Sequence, residues 1–78
     1  MARKTNKIAV RSTYLYNNGT IKEDNRLLSE ESYKDWLKYD VYWHIDDENS
    51  KYLKNSGLVF VNFTEFNKND IKIYEKTF

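Results

Sequence analysis

Apolar positions are densest at Leu58-Val59-Phe60-Val61-Asn62-Phe63-Thr64-Glu65-Phe66. The β-branched and aromatic content of that run predicts a strand. Strict alternation would put Val59, Val61 and Phe63 on one face and Leu58, Phe60 and Phe66 on the other. A strand apolar on both sides belongs inside a sheet, so Phe60 is expected in the core. Lys7–Tyr16 alternates more cleanly: Ile8, Val10, Ser12, Tyr14 and Tyr16 share a face, while Lys7, Arg11 and Thr13 share the other. Asn17-Asn18-Gly19-Thr20 follows, and Asn-Gly accepts the positive φ angles of a type I′ hairpin turn. A two-residue loop at Asn18-Gly19 would set Tyr16 opposite Ile21 and Val10 opposite Leu27. The returning strand, about Thr20–Leu27, is very polar in its middle and reads as a sheet edge.

At Ser29 the period changes. Ser29 suits an N-cap, Glu30 and Glu31 suit the first turn, and Leu28 with Tyr33 suits a hydrophobic staple. Tyr33, Trp36 and Leu37 follow helical spacing, and the helix is expected to fade near Tyr39 or Asp40. Val41-Tyr42-Trp43-His44-Ile45 then reads as a third strand, with Val41, Trp43 and Ile45 on one side and Tyr42, His44 and Asp46 on the other. Asp46–Gly57 is a polar connection with a short helical turn around Tyr52 and Leu53, stopped at Gly57. After the Leu58–Phe66 strand, Asn67-Lys68-Asn69-Asp70 turns the chain into Ile71–Phe78, with Ile71 and Ile73 on one face and Tyr74 and Phe78 on the other. The expected fold class is α+β: a small antiparallel sheet of four to five strands, in the order β-β-α-β-β-β, with one helix packed on a face. Residues 1–78 are expected to form a single small domain, with 1–6 frayed.

Composition narrows the chemistry. The absence of cysteine rules out thiolate catalysis, disulfides and cysteine-based zinc sites, and favours a reducing compartment. No apolar run reaches membrane-helix length, and the expected location is the cytoplasm, or a host cytoplasm for a phage-encoded chain. The net charge of +1 conceals a segregation. Residues 1–22 carry five basic side chains and no acid, residues 23–48 carry nine acids against three bases, and residues 49–78 carry five lysines against three acids. The richness in Asn, Lys, Tyr, Ile and Phe, without proline, is the style of an AT-rich gene. In composition, though in no motif, the chain resembles accessory proteins of phages and mobile elements, anti-CRISPR and other anti-defence inhibitors among them.

Few residues carry candidate chemistry. Gly57-Leu58-Val59-Phe60-Val61-Asn62-Phe63 resembles the RNP1 strand of RNA-recognition motifs at Gly57, Phe60, Val61 and Phe63. Ser56, Leu58 and Val59 stand where that pattern has a basic, an aromatic and a small residue, and the Asn-Gly hairpin replaces the helix that follows its first strand. Arg3, Lys4, Lys7 and Arg11 form a basic arm that, with Tyr14 and Tyr16 as stacking groups, could grip nucleic acid. A near-neutral chain lacks the dense basic field that phosphate binding demands. His44 and Asp46 would share a strand face, but no second histidine or spaced carboxylate set completes a metal or acid–base site. No nucleophile elbow occurs, and Gly19 and Gly57 alone cannot build a phosphate-cradling loop.

What remains is the acidic middle. Glu30, Glu31, Asp35, Asp40, Asp46, Asp47 and Glu48 could form a negative patch that occupies a basic channel on a larger protein, anchored by Tyr39, Tyr42 or Tyr52. The expectation is a non-enzymatic binding protein, without cofactor, metal or membrane partner. It would inhibit or modulate a larger partner such as a nucleic-acid-processing or defence complex, as a monomer or a homodimer. A small nucleic-acid-binding or regulatory protein using Arg3, Lys4, Lys7 and Arg11 is the alternative.

Overall fold

A computed structural model describes residues 7–67 and 69–78. Four strands, β1 (Ile8–Tyr16), β2 (Ile21–Leu28), β3 (Leu58–Asn67) and β4 (Asp70–Thr77), make one antiparallel sheet in the order β2-β1-β3-β4. The chain between β2 and β3 is helical and crosses one sheet face. This is the α+β class expected from the hydrophobic pattern, with β2 and β4 as edges.

The β1–β2 hairpin differs from expectation by one residue. Tyr16 N–H donates to Thr20 O and Gly19 N–H to Tyr16 O, so the loop is Asn17-Asn18-Gly19. Gly19 has φ +88°, whereas Asn18 keeps a negative φ, so the turn is type I closed by a glycine bulge, not type I′. Tyr14 therefore pairs with Lys22 and Val10 with Arg26. A one-residue slip exchanges the faces of a strand: Leu28 is buried at 4% exposure and Leu27 is left open at 66%.

The third strand expected at Val41–Ile45 is helix. α1 (Glu30–Asp35) runs into a π-helical turn (Trp36–Val41) and then α2 (Tyr42–Ile45). Ser29 caps α1 as expected, its side chain accepting from Ser32 N–H at 3.3 Å. The wider turn stacks residues five apart, which brings Trp36 and Val41 together into the core. A 3-10 turn (Asp47–Asn49) and α3 (Ser50–Asn55) complete the layer, and α3 ends at Gly57, whose φ is +95°.

On the covered face, Val10, Val61, Phe63 and Leu58 meet Leu28, Trp36, Val41 and Leu53. A β-bulge at the start of β3, where Leu15 pairs with Phe60 but Tyr16 with Leu58, turns Leu58 inward. Phe60 is not core: paired with Leu15, it is half-buried on the sheet's other face, which among the described residues no helix covers. Two polar pairs sit within the core. Trp36 Nε1–H donates to buried Ser12 Oγ at 3.0 Å, and Tyr33 O–H donates to Glu65 Oε1 at 2.6 Å. Glu65 is 3% exposed, so that donor helps offset the cost of removing its carboxyl from water.

Candidate protein-binding surface

The helical layer turns its sheet-facing stripe inward at Tyr33, Trp36, Leu37 and Val41, and the opposite stripe outward. Tyr39 (61% exposed), Tyr42 (52%) and Trp43 (44%) lie on that outer side, as does Tyr52 on α3. Tyr42 also packs edge-on against Tyr74 of β4, with ring centroids 6.2 Å apart, and Lys38 Nζ lies 5.2 Å from the Tyr39 ring centre. Tyr42 and Tyr39 thus each have a side-chain neighbour while remaining more than half exposed.

Beside Tyr39, where the helical layer meets the β2 edge, lies a cleft of about 240 Å³ lined by Arg26, Ser32, Asp35, Trp36, Tyr39 and Asp40. Burial pushes the Asp40 carboxyl above its usual range, an effect that His44 and Arg26 oppose. Arg26 lies 3.8 Å from Asp24, an exposed ion pair of little energetic weight. The cleft thus combines two carboxyls, an aromatic wall and one cation, Arg26.

The acids anticipated as one patch are divided among three places. Glu30 and Glu31 are exposed at the start of α1, beside Ser29 and Lys34. Asp35 and Asp40 share the cleft. Asp46, Asp47 and Glu48 sit in the turn after α2, where two of the three have local partners. Asp46 Oδ1 accepts from Glu48 N–H at 3.0 Å, and Asp47 pairs with Lys76 of β4, which lowers the Asp47 carboxyl below its usual range. Glu48 is exposed.

The basic arm is not brought together. Arg3 and Lys4 lie outside the described residues. Lys7 is exposed before β1, and Arg11 lies on the sheet face opposite the helices, its guanidinium 5.3 Å from the centre of the Phe66 ring. Tyr14 and Tyr16 are on the covered face instead. Tyr14 packs edge-on against Phe63 and His44, at 5.6 and 5.3 Å, and burial, then Asp40, pushes its hydroxyl up to about 12. In the RNP1-like segment Phe63 and Val61 are fully buried under the helices, and Phe60 lies half-buried on the open sheet face. His44 does not pair with Asp46: its Nδ1 lies 2.6 Å from Asp40 O, with the ring against Phe63. Among the described residues no three metal-ligating side chains cluster, and no helix is long and apolar enough to cross a membrane.

Trp43 and Arg26 were not anticipated at this surface. The helical spacing of Tyr33, Leu37, Val41 and Ile45 would have turned Trp43 outward, had it been followed past Asp40. Arg26 enters through the hairpin register, for which the pattern carried no signal. No protein-family model, curated protein or solved structure matches this chain.

Proposed function

We propose that this chain is a non-enzymatic binding protein that inhibits or modulates a larger protein by occupying its surface. The observation that carries the reading is the outer side of the helical layer: Tyr39, Tyr42 and Trp43 exposed beside the cleft that holds Asp35 and Asp40. Aromatic anchors contribute most to such interfaces, and neighbouring carboxylates steer a basic partner and select it. The partner surface is therefore basic and presents a lysine or arginine to the cleft, as a nucleic-acid-processing protein does. The AT-rich composition supports a phage or mobile-element origin, and with it a host defence complex as the target.

The test is a pull-down from host lysate with and without nuclease, using the wild-type chain, Trp43→Ala and Asp35→Lys. Support is a protein retained after nuclease by the wild type and lost with both variants, while their circular dichroism is unchanged. A captured set that disappears with nuclease, or one that both variants retain, overturns the reading.

A further inference from the structure

Of the nine large apolar side chains exposed among the described residues, four lie on the helical layer and five on the opposite sheet face. Among the described residues no helix crosses that second face. The strand registers arrange it in transverse rows. Leu27, Ala9, Phe66 and Ile71 form one row across all four strands. Toward the other end, Ile21, Leu15, Phe60 and Thr77 form a second, mostly apolar row. Between them lie a row containing Arg11 and a row flanked by Glu23 and Glu75. Read along the strands, the face is apolar, cationic, anionic, apolar.

We propose that this face is the interface of a homodimer, two copies packed sheet to sheet about a two-fold axis that runs across the strands. That axis places each apolar row on the other apolar row of the second copy, and the Arg11 row on the Glu23–Glu75 row, twice over. A two-fold axis along the strands would instead stack Glu23 on Glu75 at both flanks, with no cation between them. The charges therefore select the crosswise arrangement. Shape agrees with charge. Ala9 is small between Leu27 and Phe66, which leaves a hollow of about 410 Å³ in its row. The row that lands there carries Leu15 and Phe60, the bulk such a hollow takes. Four strands of about eight residues at the usual strand spacing and rise make a face of about 500 Å² per copy. Roughly 1,000 Å² in total reaches the lower bound for a specific interface and predicts a reversible dimer.

Sedimentation velocity on the full chain, from micromolar to near-millimolar, tests the proposal. The expected result is a concentration-dependent shift from the 9.5 kDa monomer to twice that mass. Leu27→Lys and Ile71→Lys, both at exposed edge-strand positions, should each abolish the dimer with unchanged circular dichroism. Arg11→Glu should weaken association by about tenfold or more, and adding Glu23→Arg with Glu75→Arg should restore it. A monomer at every concentration overturns the proposal. So does a dimer that survives Leu27→Lys and Ile71→Lys, which would place the interface elsewhere, such as at the strand edges.

Discussion

At the scale of single residues, the informative positions are polar groups inside a small apolar core. Ser12 and Glu65 both sit on strands that read as apolar, and each is met by a side chain from the helical segment. Sequence alternation placed Ser12 on the inward face correctly, because a period of two needs no knowledge of partners. It could not foresee that Tyr33 would reach Glu65, since that contact spans 32 residues of chain. Tyr33→Phe removes the donor and leaves the buried carboxyl without it, so urea denaturation should show a loss of about 1–3 kcal/mol. The half-buried tyrosines also set an alkaline limit. Burial, then Glu65, raises Tyr33, and burial takes Tyr14 up to about 12 from a normal 10.0. A hydroxyl whose folded pKa is raised contributes stability that is whole below its unfolded value and is lost as pH rises past it. Stability should therefore fall between pH 10 and 12. In Tyr14→Phe that fall should be shallower, and a late phenolate component at 295 nm should be missing.

At the scale of elements, the instructive case is Val41–Ile45. Those residues satisfy two periods at once. Val41, Trp43 and Ile45 alternate as in a strand, while Leu37, Val41 and Ile45 repeat every four as in a helix. β-branched and aromatic residues favour strands only weakly and yield to packing. What decides the outcome is continuity with the helix already begun at the Ser29 cap, and the burial of Trp36 and Val41 together. The two readings assign opposite fates to Trp43, and that makes them separable. Val41, 0% exposed, should lose about 2–4 kcal/mol on truncation to alanine. Trp43→Ala should cost under about 1 kcal/mol and should remove the component of tryptophan fluorescence that iodide quenches, leaving buried Trp36. A large loss in Trp43→Ala would mean the ring is buried against the sheet. The hairpin makes the complementary point: Asn-Gly announced a turn, but only the backbone could tell which of two turn types closes it, and the choice moves Leu27 from core to surface.

At the scale of the molecule, two hairpins close on each other through the β1–β3 pair, which joins Ala9 to Phe66 across most of the chain. This long pairing carries the fold, and the helical layer is laid across it. The four strands, the edge position of β2 and the inward face of β1 were legible because alternation is local, although the same alternation made a strand of Val41–Ile45, which is helix. Strand order and the division of the acids were not, because both depend on where the helical layer crosses the sheet. Beside the Tyr42–Tyr74 contact, the turn after α2 is tied to β4 by Lys76. Lys76 Nζ donates to Ile45 O at 3.1 Å and pairs with Asp47, and although Asp47 is open to solvent, the lysine itself is mostly covered. Such a tie fixes that turn more than it stabilises the whole, since an ion pair with one partner in water is strongly screened. Lys76→Met keeps the covered stem and removes both contacts. Hydrogen exchange should then quicken at the amides of residues 46–49, while those of β1 and β3 keep their protection. The pairing also has an acid limit. Lys76 holds the Asp47 carboxyl below its unfolded value of 3.8, so its contribution is present above that pH and fades as pH drops through the folded value. In the wild type the same amides should lose protection on acidification below about pH 4, ahead of the sheet. In Lys76→Met they should show no such step. If protection fell in β1 and β3 together with residues 46–49, the layer and the sheet would be one cooperative unit, and the turn after α2 would not be held by this tie alone.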